Sequence, residues 1–288
     1  MKKELLIDFK NKIFVGSAGR KSLWDVSIPA KAKAVIVFVH GYKGYKDWGA
    51  WPLMEDYFLD KGYGFVKFNF SHNGGTVENP IDFPDLQAFG ENTYTFELNE
   101  LNQIVHEVHR LITEECQLNA PIYLLGHSRG GGIATLVAAK NAYVEKVVSL
   151  AGISDIAIRF PSGEELLEWE RNGIFYVQNG RTQQEMPHFF TFYEDFLKHK
   201  DALHIQSAAE SIQIPFLQVH GDMDLAVSIT EGQQMAAWTD TNICIIKGAG
   251  HTFGAQHPWT ASVLPADFEL ALKEILRFFK KEDRKRLK

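Results

Sequence analysis

The chain has 288 residues, 45% hydrophobic and 23% charged, a globular balance that excludes disordered, collagen-like and coiled-coil classes. With 30 basic and 36 acidic residues its net charge is −6, which argues against nucleic acid as a partner. At this length it forms one large domain or two small ones, with a core that needs no metal or disulfide staple. The one segregated charge run, 280–288, holds six basic and two acidic residues and reads as a solvated tail. The longest apolar run near the start, 34–39, is far short of the roughly 20 residues a membrane span needs. Glu4 and Asp8 interrupt any secretory leader. Cys116 and Cys244 lie in apolar periodic stretches and read as buried free thiols of a reducing compartment. The expectation is a cytoplasmic protein with neither a membrane nor a nucleic acid as partner.

In chain order, apolar runs rich in β-branched and aromatic residues predict strands over 23–28, 34–39, 64–70, 121–125, 146–150, 215–220 and 242–247. Residues 4–9 read as an extra antiparallel edge strand. Several of these runs are apolar throughout, as expected of parallel strands covered on both faces. Between them, helical periodicity covers 50–61, 95–115, 130–141, 229–238 and 265–280. The alternation predicts an α/β fold with a mostly parallel, doubly wound sheet. One stretch breaks the rhythm. Residues 155–200 contain nine aromatics, Trp169 among them, and no strand that would join the main sheet. A long excursion from a regular α/β core is usually functional. It reads as an inserted helical lid over 154–206, dividing the core into 1–153 and 207–288. Trp169, flanked by Glu168 and Glu170, is its candidate substrate contact.

Gly126-His127-Ser128-Arg129-Gly130 follows the strand 121–125 and opens a helical pattern. This is a G-x-S-x-G nucleophile elbow in its strand–turn–helix context. A sharp turn exposes the Ser128 hydroxyl in a strained conformation, and side chains at 126 and 130 would clash. Serine is weakly nucleophilic at neutral pH and needs a base. His251, in Gly248-Ala249-Gly250-His251 just past the last predicted strand, leaves the sheet at the same edge. His257 is its rival, while His106 and His109 lack zinc-ligand spacing and read as surface residues. The acid must orient the imidazole. In His220-Gly221-Asp222-Met223-Asp224, Asp224 is favoured, with Asp222 as a turn cap. The order Ser128, Asp224, His251 is that of an α/β-hydrolase triad. Oxyanion donors are expected from the backbone N–H of Arg129 and, in His40-Gly41-Tyr42, that of Tyr42. No dinucleotide or phosphate-loop motif occurs, and no metal or other cofactor is implied.

HGYKGYKDW, FNFSHNGG, GHSRGG, HGDMD and GAGHTF occur in the order and spacing of α/β-hydrolases of the serine-esterase type, which the chain resembles over roughly 23–153 and 207–280. It is similar to the dienelactone-hydrolase-like and cinnamoyl/feruloyl-esterase-like branches, in which an insertion after the sixth core strand forms a lid. Many relatives have an Arg-Gly-x-Gly turn after the strand 64–70. Here the turn is Ser71-His72-Asn73-Gly74, and His72 is the second expected pocket residue. Arg129 also replaces the apolar or amide residue common after the serine. The resemblance implies a serine hydrolase that cleaves a small-molecule carboxylic ester through an acyl-enzyme. Peptidase, thioesterase or lactonase chemistry on the same triad, or a ligand receptor that does not turn over, are the alternatives.

Overall fold

The computed structural model describes residues 4–281; the rest of the basic run, 282–288, lies outside them. The chain begins with β1 (Leu5–Val15), β2 (Lys21–Pro29) and β3 (Val35–Val39), then α1 (Trp51–Asp60), β4 (Gly64–Phe68), α2 (Leu86–Gly90) and α3 (Tyr94–Arg110). It continues with β5 (Ile122–His127), α4 (Arg129–Ala138) and β6 (Val144–Leu150). The excursion that follows contains α5 (Glu164–Asn172), β7 (Ile174–Gln178), β8 (Glu185–Phe189) and α6 (Thr191–His199). The core resumes with α7 (Ile205–Ser211), β9 (Phe216–Gly221), α8 (Ile229–Trp238), β10 (Ile243–Ile246) and α9 (Ala266–Lys280).

Eight strands form one sheet in the order β1-β2-β4-β3-β5-β6-β9-β10. β2 is antiparallel to both its neighbours, and the remaining pairs are parallel. The reversed strand is therefore β2. The edge strand β1 is longer than the expected 4–9 and runs in the majority direction. The centre is buried on both faces. Along β3, Val35, Val37 and Val39 join one apolar cluster with α3 and α4, while Ile36 and Phe38 join a second with α1 and α9. α3 places Leu101, Ile104, Val105 and Val108 inward at helical spacing.

The segment after β6 is not purely helical. β7 and β8 form a separate antiparallel hairpin between α5 and α6. The expected boundary at 206 falls inside α7, whose Ile205, Ala208 and Ala209 pack in the main core. The excursion thus ends before Ile205. Cys116 and Cys244 are free, and both are half-buried rather than buried. Among the described residues, no helix is long and apolar enough to cross a membrane.

Candidate active site

Strand register decides which loops meet. Val39 of β3 pairs with Gly126 of β5, so the loop carrying Tyr42 leaves the sheet level with the turn carrying Ser128. Gly221 of β9 pairs with Ile246 of β10, which sets the Asp224 and His251 loops side by side. All four loops leave the C-terminal ends of parallel strands, where ligands bind in open α/β sheets.

Ser128 sits between β5 and α4 at φ 57° and ψ −123°, a conformation that costs a residue with a side chain of order 1–3 kcal/mol. The neighbouring backbone enforces it. A Cβ at Gly126 would lie 2.2 Å from the Gly130 carbonyl oxygen, leaving no room for any side chain there. Ser128 N–H donates to Leu150 O at 2.9 Å, and Ser128 O accepts from Gly131 and Ile153 N–H. Gly41 lies against the elbow, where an added Cβ would stand 2.9 Å from Ser128 Cβ.

His251 Nδ1 donates to Asp224 Oδ2 at 2.8 Å. The other oxygen, Asp224 Oδ1, accepts from the N–H groups of Ala226 and Val227 at 2.8 and 2.9 Å. Burial alone would raise the Asp224 carboxyl. Hydrogen bonds from His220 and His251 and the His251 charge outweigh it and hold the group below the usual carboxylate range. The local backbone bonds expected of Asp222 belong to Asp224. The exposed Asp222 accepts instead from Gly248 N–H at 2.5 Å, across to the His251 loop.

Two further histidines frame the pair. His127 Nε2 donates to the His251 carbonyl at 2.9 Å, and the two rings pack 4.8 Å apart. Burial, then the His251 charge, lower its pKa to about 3, so it is neutral at physiological pH. His220 is fully buried, and its Nε2 hydrogen is shared between Val227 O at 2.9 Å and Asp224 Oδ2 at 3.4 Å. On the other side of Ser128, His40 Nδ1 donates to Gly41 O and His40 Nε2 accepts from Phe70 N–H, tying the Tyr42 loop to the end of β4. Arg129 is the first residue of α4, so its N–H has no partner within the helix.

Ser128, His251, Tyr42 and Arg129 line one cavity of about 470 Å³, roofed by the excursion through Phe160, Trp169, Phe175 and Phe192. Trp169 does line it, but as a 2% exposed residue whose indole N–H donates to His188 O at 2.9 Å. It is packed against Phe160, Phe175, Phe190 and Tyr193 within the apolar cluster that continues into the main core, and is not a free surface aromatic. His72 does not line the cavity. Its Nδ1 bonds Ser71 Oγ at 2.8 Å, its ring packs on Phe96, and burial, then Arg20, lower its pKa to about 4. The rival His257 accepts from Gly49 N–H and packs on Tyr45 and Trp48, away from Ser128.

Sequence reasoning missed His188, Lys43 and Arg159, which also line the cavity. His188 Nε2 hydrogen-bonds the Tyr42 hydroxyl at 2.7 Å. Burial is the main reason that the phenol pKa rises to about 12 and the His188 pKa falls to about 3. Lys43 was adjacent to a residue already singled out. His188 carried no local signal beyond the aromatic density around it. Among the described residues, no group of three or more His, Cys, Asp or Glu is placed to hold a metal ion.

A mostly parallel sheet with a strained serine elbow after β5 and a His–Asp pair beyond β9 and β10 defines the α/β-hydrolase class of fold. The family model described as "Alpha/beta hydrolase family" matches residues 36–263, and the chain belongs to that family. No curated protein matches it. Among solved structures, it is similar to Est1E from Butyrivibrio proteoclasticus with ferulic acid bound, at 17% identity and TM-score 0.69, covering 93% of this chain and 97% of that one. It is similar to a monoacylglycerol lipase from Paleococcus ferrophilus, at 15% identity and TM-score 0.64, covering 90% and 98%. It is also similar to a dienelactone hydrolase from Anabaena variabilis, at 16% identity and TM-score 0.61, covering 97% and 98%. At these identities the likeness is one of fold.

Proposed function

We propose that the chain hydrolyses a small-molecule carboxylic ester through an acyl-enzyme on Ser128. The observation that carries the reading is the 2.8 Å Asp224–His251 hydrogen bond on loops that open, with the strained Ser128, into one cavity. Ser128 Oγ attacks the ester carbonyl, and its proton passes to His251 Nε2. Asp224 on Nδ1 holds the tautomer in which Nε2 is free to accept, and stabilises the imidazolium that results. The backbone N–H groups of Tyr42 and Arg129 hold the negative charge that develops on the carbonyl oxygen. Collapse breaks the C–O bond, and His251 returns the proton to the leaving alcohol. Water, deprotonated by the same imidazole, then attacks the acyl-enzyme and releases the acid and Ser128.

The excursion 154–204 acts as the lid. Its aromatic side chains exclude water from the oxyanion, where the two N–H donors act more strongly than in bulk solvent. The test is turnover of aryl esters beside matched thioesters and peptides, by the native chain and by Ser128→Ala. The expected result is a burst of alcohol with the ester, abolished in Ser128→Ala. Ester turnover that persists in Ser128→Ala would overturn the reading.

A further inference from the structure

The cavity over Ser128 is unbalanced in charge. Three cations line it, Lys43, Arg129 and Arg159, and among the described residues no Asp or Glu does. Two of the cations are matched from behind the wall. Arg129 Nη1 lies 3.1 Å from Glu97 Oε1, and Arg159 pairs with Glu231. Lys43 has no such match. Its Nζ donates to the Gln178 carbonyl at 3.2 Å, and among the described residues no carboxylate is within ion-pair distance of it. Lys43 Nζ and the Arg129 guanidinium lie 5.1 and 4.3 Å from the ring centre of Tyr42, so two positive charges share one aromatic side chain.

A second, independent observation points the same way. His188 is 7% exposed, and its Nδ1 has no hydrogen-bond partner. Its Nε2 shares one hydrogen with the Tyr42 hydroxyl. If the phenol donates, Nδ1 keeps its own proton with no acceptor. If Nε2 donates, the phenol proton has none instead, and Nδ1 is left as an acceptor without a donor. Either tautomer leaves one donor hydrogen without an acceptor at this wall, where an unmatched buried donor costs about 1–3 kcal/mol. The wall therefore has one positive charge in surplus, that of Lys43, and, with His188 Nδ1 protonated, one donor in surplus.

Resting on the ester-hydrolase reading above, we propose that the substrate is an ester carrying a second, anionic group, a carboxylate in the simplest case. That group is held by Lys43 with Arg129 and Arg159, while the rings of Tyr94, Phe160 and Phe192 enclose an aromatic or other apolar body. A neutral ester of the same shape would leave the surplus charge desolvated and unmatched, which is how a site built for a polar group rejects an analogue lacking it. Consistent with that crowding, burial and then Arg129 lower the Lys43 pKa, a penalty that a bound anion removes. Arg129 then has two separate functions, its backbone N–H toward the oxyanion and its side chain toward the anionic group.

The test uses two matched pairs of probes that differ only in charge. 4-Carboxyphenyl butanoate against 4-carbamoylphenyl butanoate places the charge on the alcohol. Phenyl hydrogen adipate against phenyl adipamate places it on the acyl group. In at least one pair, Ser128→Ala should bind the carboxylate about tenfold more tightly than the carboxamide, a ratio typical of one partly buried charge contact. The native chain should show the same preference in KM. The ratio should fall several-fold in Lys43→Gln, recover in Lys43→Arg, and shrink as salt rises from about 0.02 M to about 0.5 M. Equal or weaker carboxylate binding in both pairs would overturn the proposal, as would a preference that Lys43→Gln leaves intact. If Ser128→Ala discriminates but the native chain turns over none of the four probes, the ester-hydrolase reading fails and the anion site stands.

Discussion

The sheet's C-terminal edge and the excursion that roofs it are built by different physics. At the edge, backbone geometry places the site. Ser128 sits at φ 57°, a Cβ at Gly126 would lie 2.2 Å from a carbonyl oxygen, and the Asp224 and His251 loops meet because Gly221 pairs with Ile246. In the excursion, side chains do the placing. Trp169 packs on Phe190 at 5.4 Å, Phe160 on Tyr193 at 5.1 Å and His188 on Phe192 at 5.2 Å, around a hairpin apart from the main sheet. The hairpin joins the core through Met186, buried among Tyr45, Phe83 and Phe89, and through polar bonds that include Tyr42–His188, Lys43–Gln178, Gln184–Phe83 and Arg181–Asp82. A site fixed by backbone responds to substitution as all or nothing. One walled by aromatic packing responds by degrees.

After loss of the nucleophile itself, the largest effect expected at the edge is that of Asp224→Asn. It should lower kcat by about 10,000-fold, the scale seen when the imidazole is held in the wrong tautomer. Asp222→Asn, which keeps an oxygen able to accept from Gly248 N–H and loses only the charge, should stay within a few-fold. Steady-state kinetics of both variants check the ranking, and a reversed order would break the assignment of the acid.

Trp169→Ala should loosen the excursion while sparing the edge. Truncating a buried tryptophan costs about 3–5 kcal/mol, and the His188 carbonyl loses its indole donor. The expected outcome is a raised KM and protease cleavage confined to 154–204, with the Ser128 hydroxyl still reactive. Global unfolding, or an unchanged KM, would contradict the division drawn between the two regions.

Acid should strain both regions. Burial holds His127 and His188 neutral down to about pH 3, and His40 and His72 down to about pH 4, against 6.5 for a free histidine. As pH falls below 6.5 the unfolded chain takes up these protons first. Stability fully present above 6.5 is therefore lost progressively toward pH 3–4, at up to about 1.4 kcal/mol per pH unit for each histidine. Thermal melting at steps from pH 7 to 4 should show a falling Tm, and His188→Gln should reduce the slope by about a quarter. A flat profile would mean that the histidines are solvated.

The smallest effect concerns the apolar wall. Each methylene buried against it is worth ~0.8 kcal/mol, so kcat/KM should rise about fourfold per carbon until the cavity fills. A flat profile from acetyl to hexanoyl esters would mean that the rings pack only on one another.

The contrast also explains what could be read from the sequence. The parallel strands and the elbow were legible because a strand buried on both faces is apolar throughout and a tight turn demands glycine. Both constraints are local in sequence. Motif position singled out Ser128, Asp224 and His251; Ser128 and His251 line one cavity, and Asp224 lies behind His251, hydrogen-bonded to its Nδ1. The hairpin of β7 and β8 was not legible. Its strands alternate irregularly, and Pro187 falls within the second. His72 was misplaced because a turn motif fixes the backbone but not the direction of its side chain, which packs under Phe96. His188, Lys43 and Arg159 reach the cavity from three separate segments, an arrangement that no sequence spacing encodes.

In the proposed mechanism the strained elbow delivers one activated hydroxyl. Intact-mass analysis after reaction with an organophosphonate ester tests it most directly. One adduct per chain is expected, mapped by peptide sequencing to Ser128, lost in Ser128→Ala and strongly slowed in Asp224→Asn. An adduct on another serine, or labelling that persists in Ser128→Ala, would contradict it.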